Sequence, residues 1–178
     1  KNYAMMIFDL NVSVSTITTH LPLKDVSKNI SSKKIINHTK LIDNFYKRYI
    51  QKKPRIAVTG LNPHCESNFL ESEEKKFIIP ALNKLKAKTN IKVSGPFAND
   101  SLFMKNNLKN FDVVIGMYHD QVLTPAKALN DFNAINITLG LPFIRISPDH
   151  GTNNQMIGRN SSNPQSLIQA IKFLDIKC

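Results

Sequence analysis

The hydrophobic period of this chain switches repeatedly between two and a value between three and four. Short apolar runs rich in β-branched residues, at 5–9, 12–18, 55–59, 92–94, 112–118, 134–139 and 143–147, predict strands. In the second run Val and Ile alternate with Ser and Thr, the pattern of a half-buried strand. Ile35, Leu41, Ile42, Phe45, Tyr46, Tyr49 and Ile50 recur at three- and four-residue steps and predict a helix from Ser31 or Ser32 to Gln51. His38 sits among its polar positions and is expected at the surface. Pro54 ends that segment. A second helix is expected from Ser72 or Glu73 to Lys88, with Glu73 and Glu74 at its positive end. Gly95-Pro96 marks a turn. Further helices are expected from an Asn99 or Asp100 cap through Leu108, and from Val122 to Leu129. A last helix would start from Ser162 or Asn163, with Pro164 early and Leu167, Ile168, Ile171 and Leu174 as its buried stripe. Strands alternating with helices imply an α/β class: a layered α/β/α fold on a mixed, largely parallel sheet.

Residues 112–121 read "DVVIGMYHDQ", an apolar run ending on a titratable pair. Run 12–18 leads likewise into His20, and run 55–59 into His64, so three of five histidines fall just past strand ends. Open α/β sheets bind ligands outside the carboxyl ends of their strands. Parallel strands would bring these imidazoles to one edge, where three ligands and an open position suit a catalytic divalent ion. The alternative is three hydrogen-bonded loop histidines, since the spacings form no local metal motif.

Bulk properties narrow the function. A length of 178 residues suits one domain or a large piece of two. The chain starts in a strand without an initiator Met, so a fragment or processed chain is expected. No apolar run reaches membrane-span length and the first residues lack a signal peptide's long apolar stretch and cleavage site, so no membrane partner is expected. Cys65 and Cys178 make no disulfide framework, which points to a reducing, cytoplasmic setting; Cys65, beside His64 but without a C-x-x-C partner, reads as an ordinary small residue. The net charge of +11 comes from lysines for the most part, with only Arg48, Arg55, Arg145 and Arg159 as arginines. That balance suits weak adhesion to anions and no specific nucleic acid. The glycines form neither G-x-G-x-x-G nor a Walker loop, and no G-x-S-x-G elbow occurs.

The segments "TTHLPL" (18–23), "GLNPH" (60–64), "MYHDQ" (117–121), "NITLGLPFIR" (136–145) and "DHGT" (149–152) resemble, in order and spacing, 4-hydroxythreonine-4-phosphate dehydrogenase of pyridoxal phosphate biosynthesis. "IIPAL" (78–82), "GP" (95–96) and Asp100-x-Leu102-Phe103 extend the resemblance over essentially the whole chain. It implies a fold like isocitrate and isopropylmalate dehydrogenases, whose nicotinamide site lacks the Rossmann glycines. It implies NAD- or NADP-dependent oxidation of 4-(phosphooxy)-L-threonine, with decarboxylation to 3-amino-2-oxopropyl phosphate. A divalent metal (zinc, magnesium or cobalt) would be held by His20, His64 and His119 across a homodimer interface. Lys127, Asn136 and Arg145 match the substrate-binding positions. Asp100 and Asp120 are candidates for ligand orientation or proton movement, against a helix cap for Asp100 and a partner of a metal histidine for Asp120. For Lys127 and Arg145 the alternatives are a solvated helix lysine and a structural ion pair. His150 is expected near the cleft or in a structural role.

The family is longer, and the motifs here match its carboxyl-terminal part. Residues 1–178 are therefore expected to be the carboxyl-terminal portion of a two-domain dehydrogenase, without an upstream His-Thr pair of the substrate site. The family's glycine-rich stretch after His64 is replaced by Cys65–Glu71, and Val122 stands where the family has glycine. Competing readings are a relative acting on another phosphorylated hydroxy acid, and a truncated, non-catalytic metal-binding or dimerising module.

Overall fold

A computed structural model describes residues 3–65, 71–130, 133–151, 154–159 and 161–177. Cys178, Thr152 and residues 66–70 of the stretch after His64 lie outside the described residues. One seven-stranded sheet contains β1 (Ala4–Phe8), β2 (Ser13–Thr16), β3 (Arg55–Thr59), β4 (Lys92–Phe97), β5 (Val113–Gly116), β6 (Ile135–Leu139) and β7 (Arg145–Pro148), in the order β4-β3-β5-β2-β1-β6-β7. The strands β4, β3, β5 and β2 are parallel, β1 is antiparallel to β2 and β6, and β7 is antiparallel to β6. The strands β2, β3, β5 and β6 therefore end at one edge.

Helices cover both faces, as the period changes require. On one face lie α2 (Ser32–Phe45, continuing as a π turn over Tyr46–Ile50), α3 (Ile79–Lys88, after a π turn over Glu74–Ile78) and α7 (Gln165–Lys177). They pack Ile35, Ile42, Phe45, Leu82, Leu85 and Phe173 on Met6, Phe8, Ile56, Val58, Val113 and Ile115. On the other face α4 (Asn99–Leu102), α5 (Lys105–Leu108) and α6 (His119–Asn130) place Leu102, Leu108, Val122, Leu123 and Ala126 over Ile7, Val14, Ala57 and Val114. The central strands β3 and β5 carry unbroken apolar runs because both of their faces are covered. Short α1 (Leu23–Val26) follows the loop of His20. Among the described residues no helix is long and apolar enough to cross a membrane.

Ser31 caps α2 by accepting from Lys34 N at 3.3 Å, and Asn163 Oδ1 accepts from Gln165 N at 2.9 Å before α7, as the sequence predicts. Four expectations are corrected. The helix expected through Leu108 is split into α4 and α5, and Ala98 rather than Asn99 or Asp100 precedes it, without a side-chain cap. The last strand starts at Arg145 rather than residue 143, where it meets Thr138 of β6. His38 is buried, its Nε2 2.6 Å from Ser15 Oγ, because the polar faces of β2 and α2 meet there.

The fourth correction concerns α7. Ser166, Ala170 and Phe173 face the sheet, whereas Leu167, Ile168, Ile171 and Leu174 are 48%, 38%, 52% and 37% exposed. Two contacts fix that rotation. Phe173 joins an aromatic cluster, 5.3 Å from Phe8 and 6.1 Å from Phe45, and Ser166 Oγ donates to Ala134 O at 2.6 Å.

Asp112, just before β5, is the strongest electrostatic anchor of the sheet. Its carboxylate accepts from Lys52 Nζ and Arg55 N, each at 2.8 Å, and from Arg55 Nη2 at 3.0 Å. Burial pushes the carboxyl up, but the Arg55 and Lys52 bonds outweigh it and hold it at about 2. A folded pKa below the unfolded value gives stability that is complete above about pH 4 and lost as pH falls towards 2. Asp112→Asn is expected to cost about 2 kcal/mol in urea unfolding at pH 7, from the size of that shift. Equal stabilities at pH 7 would rule this anchor out.

Candidate functional site

The shared edge of β2, β3 and β5 carries the three strand-end histidines. Gln121, in the first turn of α6, staples two of those ends together. Its Oε1 accepts from Met117 N at 2.7 Å and Thr59 Oγ1 at 3.0 Å, and its Nε2 donates to Gly60 O at 2.7 Å. Thr18 Oγ1 donates to Met117 O at 2.7 Å and pins the end of β2 to the same point. Sequence reading gave Gln121 no role, although it stands in "MYHDQ" two residues from His119; a buried glutamine with three partners is visible only in three dimensions.

His20 and His119 come together, with ring centroids 5.6 Å apart and planes tilted by 39°. His119 Nδ1 lies 2.6 Å from Asp120 Oδ1. A carboxylate can only accept, so Nδ1 carries the proton, which in the neutral ring leaves the lone pair on Nε2. This is the carboxylate–histidine arrangement that orients metal ligands. His64 is placed elsewhere on the edge: it is exposed, and its Nδ1 is 3.8 Å from Asp100 Oδ2. Asp100 itself sits within α4, where Oδ1 accepts from Ser101 N. Among the described residues no group of three His, Cys, Asp or Glu is close enough to hold an ion. The His20–His119 pair could supply two corners of a divalent site, whose remaining ligands would have to come from outside this cluster.

Backbone strain gathers here as well. Of the described non-glycine residues with positive φ, three are His20 (52°), His64 (58°) and Cys65 (55°). Such conformations persist where surrounding contacts over-determine them, and they favour functional loops. Burial pushes the Cys65 thiol up, in keeping with an unreactive small residue.

Beside the pair, β1 and β2 match only at Met6↔Ser15 and Ile7↔Val14 and then separate. The wedge they leave is a cleft of about 710 Å³ lined by Thr16, His20, His38, Asn136, Thr138 and Arg145, among others. Thr16 Oγ1 and Asn136 Oδ1 are buried there without a hydrogen-bond partner, a condition that polar ligand groups relieve. Arg145 Nη1 donates to Thr138 Oγ1 at 2.9 Å, which aims the guanidinium along the cleft wall. Lys127 stands apart from Asn136 and Arg145: its Nζ donates to Asp149 O at 3.2 Å and lies 3.5 Å from the Asp149 carboxylate. Burial pushes that carboxyl up despite Lys127. His150 is exposed, with Nδ1 3.3 Å from Gly151 O.

Comparison with known proteins matches this arrangement of motifs. The family model "Pyridoxal phosphate biosynthetic protein PdxA" covers residues 1–174. The chain is 44% identical over 175 residues to 4-hydroxythreonine-4-phosphate dehydrogenase of Sulfurihydrogenibium sp., covering 97% of this chain and 53% of that protein. It is 41% identical over 176 residues to the protein of the same name from Aquifex aeolicus, covering 98% and 54%. A crystal structure of 4-hydroxythreonine-4-phosphate dehydrogenase from Klebsiella pneumoniae superposes with a TM-score of 0.83 at 35% identity, over 99% of this chain and 54% of that one. The chain thus spans about half the length of the curated relatives it matches. With a family model matched almost end to end and relatives above 40% identity over nearly all of its length, this chain belongs to the pyridoxal phosphate biosynthetic protein PdxA family.

Proposed function

We propose that this chain supplies the carboxyl-terminal, metal-binding portion of a dehydrogenase that oxidises 4-(phosphooxy)-L-threonine with NAD or NADP and decarboxylates the product to 3-amino-2-oxopropyl phosphate. The observation that carries this reading is the His20–His119 pair, with Asp120 behind His119, beside a cleft lined by His20, Asn136 and Arg145. His20 and His119 would hold a divalent ion (zinc, magnesium or cobalt), with Asp120 orienting the His119 ring. Bound there, such an ion supplies Lewis-acid polarisation of a substrate oxygen, while a nicotinamide supplies hydride acceptance.

This chain's own residues bind and orient the substrate. Arg145 offers a planar fork to the phosphate or carboxylate. Asn136 Oδ1 accepts from a substrate N–H or O–H, ending its unpaired state. Lys127 serves the same anionic end once drawn away from Asp149. His64 and Asp100, apart from the pair within one chain, complete the site of a second copy, so the working unit is a homodimer in the cytoplasm. Asp100 then lies beside a ligand histidine, suited to orienting it or moving a proton.

The test is cobalt content and native mass of the purified chain beside its His20→Ala and His119→Ala variants. Stoichiometric cobalt in a dimer, lost in both variants, is the expected result. Uptake that neither substitution changes would remove the pair from the site and the reading with it.

A further inference from the structure

We propose that Glu74 is a positioning residue, whose buried carboxylate sets the loop that carries His64. The proposal rests on the reading of His64 as a metal ligand. Glu74 is fully buried at the start of the π turn before α3. Its described partners are N–H donors of one loop: Leu61 N and Asn62 N to Oε1, and Asn62 Nδ2 to Oε2, each at 2.8 Å. A buried carboxylate is a costly way to fill core space that a leucine would fill well. What the carboxylate adds is an acceptor for the two consecutive amides that lead into Pro63 and His64.

The loop requires that hold. His64 and Cys65 both have φ in the left-handed region, which is uncommon for residues with a side chain and is kept only by surrounding contacts. Gly60 makes room for it: a Cβ there would lie 3.0 Å from Glu74 Oε1 and 2.6 Å from Cys65 Sγ. Burial pushes the Glu74 carboxyl up, but the bonds from Asn62 and Leu61 outweigh it and hold the group below the ordinary carboxylate range. Glu74 therefore stays an acceptor at neutral pH.

The neighbouring Glu73 extends the tether. It accepts from Asn62 Nδ2 at 3.0 Å and from Ser27 Oγ, in the turn that follows α1 and the loop of His20. The Glu73–Glu74 pair thus links the loop of His64 to the turn after α1, the short helix that follows His20.

The experiment compares Glu74→Gln and Glu74→Ala with Asp43→Asn, a buried carboxylate on α2 whose partner is Lys47 and which touches neither loop. Cobalt affinity by absorbance titration, urea unfolding and the His64 ring resonances are measured on each purified chain. Glu74→Gln is expected to weaken cobalt binding roughly tenfold, the low end for groups that orient metal ligands, and to shift the His64 resonances. Asp43→Asn is expected to lose stability and keep both signals. Wild-type cobalt affinity and unmoved His64 resonances in Glu74→Gln would overturn the proposal, and that variant decides if Glu74→Ala does not fold. If the wild-type chain takes up no cobalt, the metal reading fails, and the His64 resonances alone decide the role of Glu74.

Discussion

Replacing Gln121 with leucine is expected to cost at least roughly 3 kcal/mol of folding stability, taking the low end of about 1–3 kcal/mol for each of three buried groups left unpaired. Leucine fills much of the same volume, so the loss is polar rather than a cavity. Met117 N, Thr59 Oγ1 and Gly60 O all lose their partner at the junction of β3 and β5. Thr59 is fully buried, so water does not replace the lost bond without local opening. Gln121→Glu keeps the acceptor for Met117 and Thr59 but sets an oxygen against Gly60 O, and is expected to fall between leucine and wild type at neutral pH. Urea unfolding followed by circular dichroism measures both. A leucine variant within about 1 kcal/mol of wild type would show that the strand ends hold without the staple, since that is the size of one ordinary hydrogen bond.

Acid is expected to weaken the fold well before carboxylates protonate, through His38. Ser15 Oγ donates to Met5 O, so its only hydrogen is committed and His38 must donate its Nε2–H to it. The ring is held neutral; burial lowers its pKa to about 4. The unfolded chain protonates near 6.5, so it binds more protons than the native chain between those values. Stability is therefore full above about pH 6.5 and falls as the pH approaches 4, by about 2.5 kcal/mol between pH 7 and pH 4.5. His20, Lys33, Lys34 and Arg145 line the same cleft and add no negative charge that would favour the imidazolium. His38→Gln, whose side-chain amide reaches the place of Nε2, keeps a donor for Ser15 and removes the titration. Its stability should change less over that interval by about the same 2.5 kcal/mol, and an identical pH slope in the two proteins would exclude His38 as the cause.

Much of the site was legible because topology did the work. Histidines after three apolar runs reach a common edge once β2, β5 and β3 pair in parallel, and the period changes alone predict that class of sheet. What the sequence does not carry is distance. His20 and His119 meet while His64 lies by Asp100, although His20 and His64 share a left-handed backbone, a separation that no spacing encodes. Polar helical positions usually face water, but Ser15 on β2 gives His38 an inward polar contact that the helical pattern does not encode. Glu74 looked like a charge favouring a helix start; its capture of Leu61 and Asn62 depends on a loop more than ten residues away. The α7 stripe was misjudged for a different reason. Leu167, Ile168, Ile171 and Leu174 form the wider apolar stripe, but the aromatic cluster around Phe173 turns the narrower face of Ser166, Ala170 and Phe173 to the sheet.

That choice governs how this chain behaves towards its own copies in solution. A row of Leu167, Ile168, Ile171 and Leu174 open to water rides on a body with a net charge of +11. At low ionic strength, like charge opposes association through this row. Near 1 M salt the screening length shrinks to about 3 Å, and repulsion no longer reaches across a contact. Salting-out anions such as sulfate also strengthen apolar association. Electrolyte thus acts twice in the same direction, and the colloidal stability of this chain is set by dilution and low salt rather than by the strength of its fold.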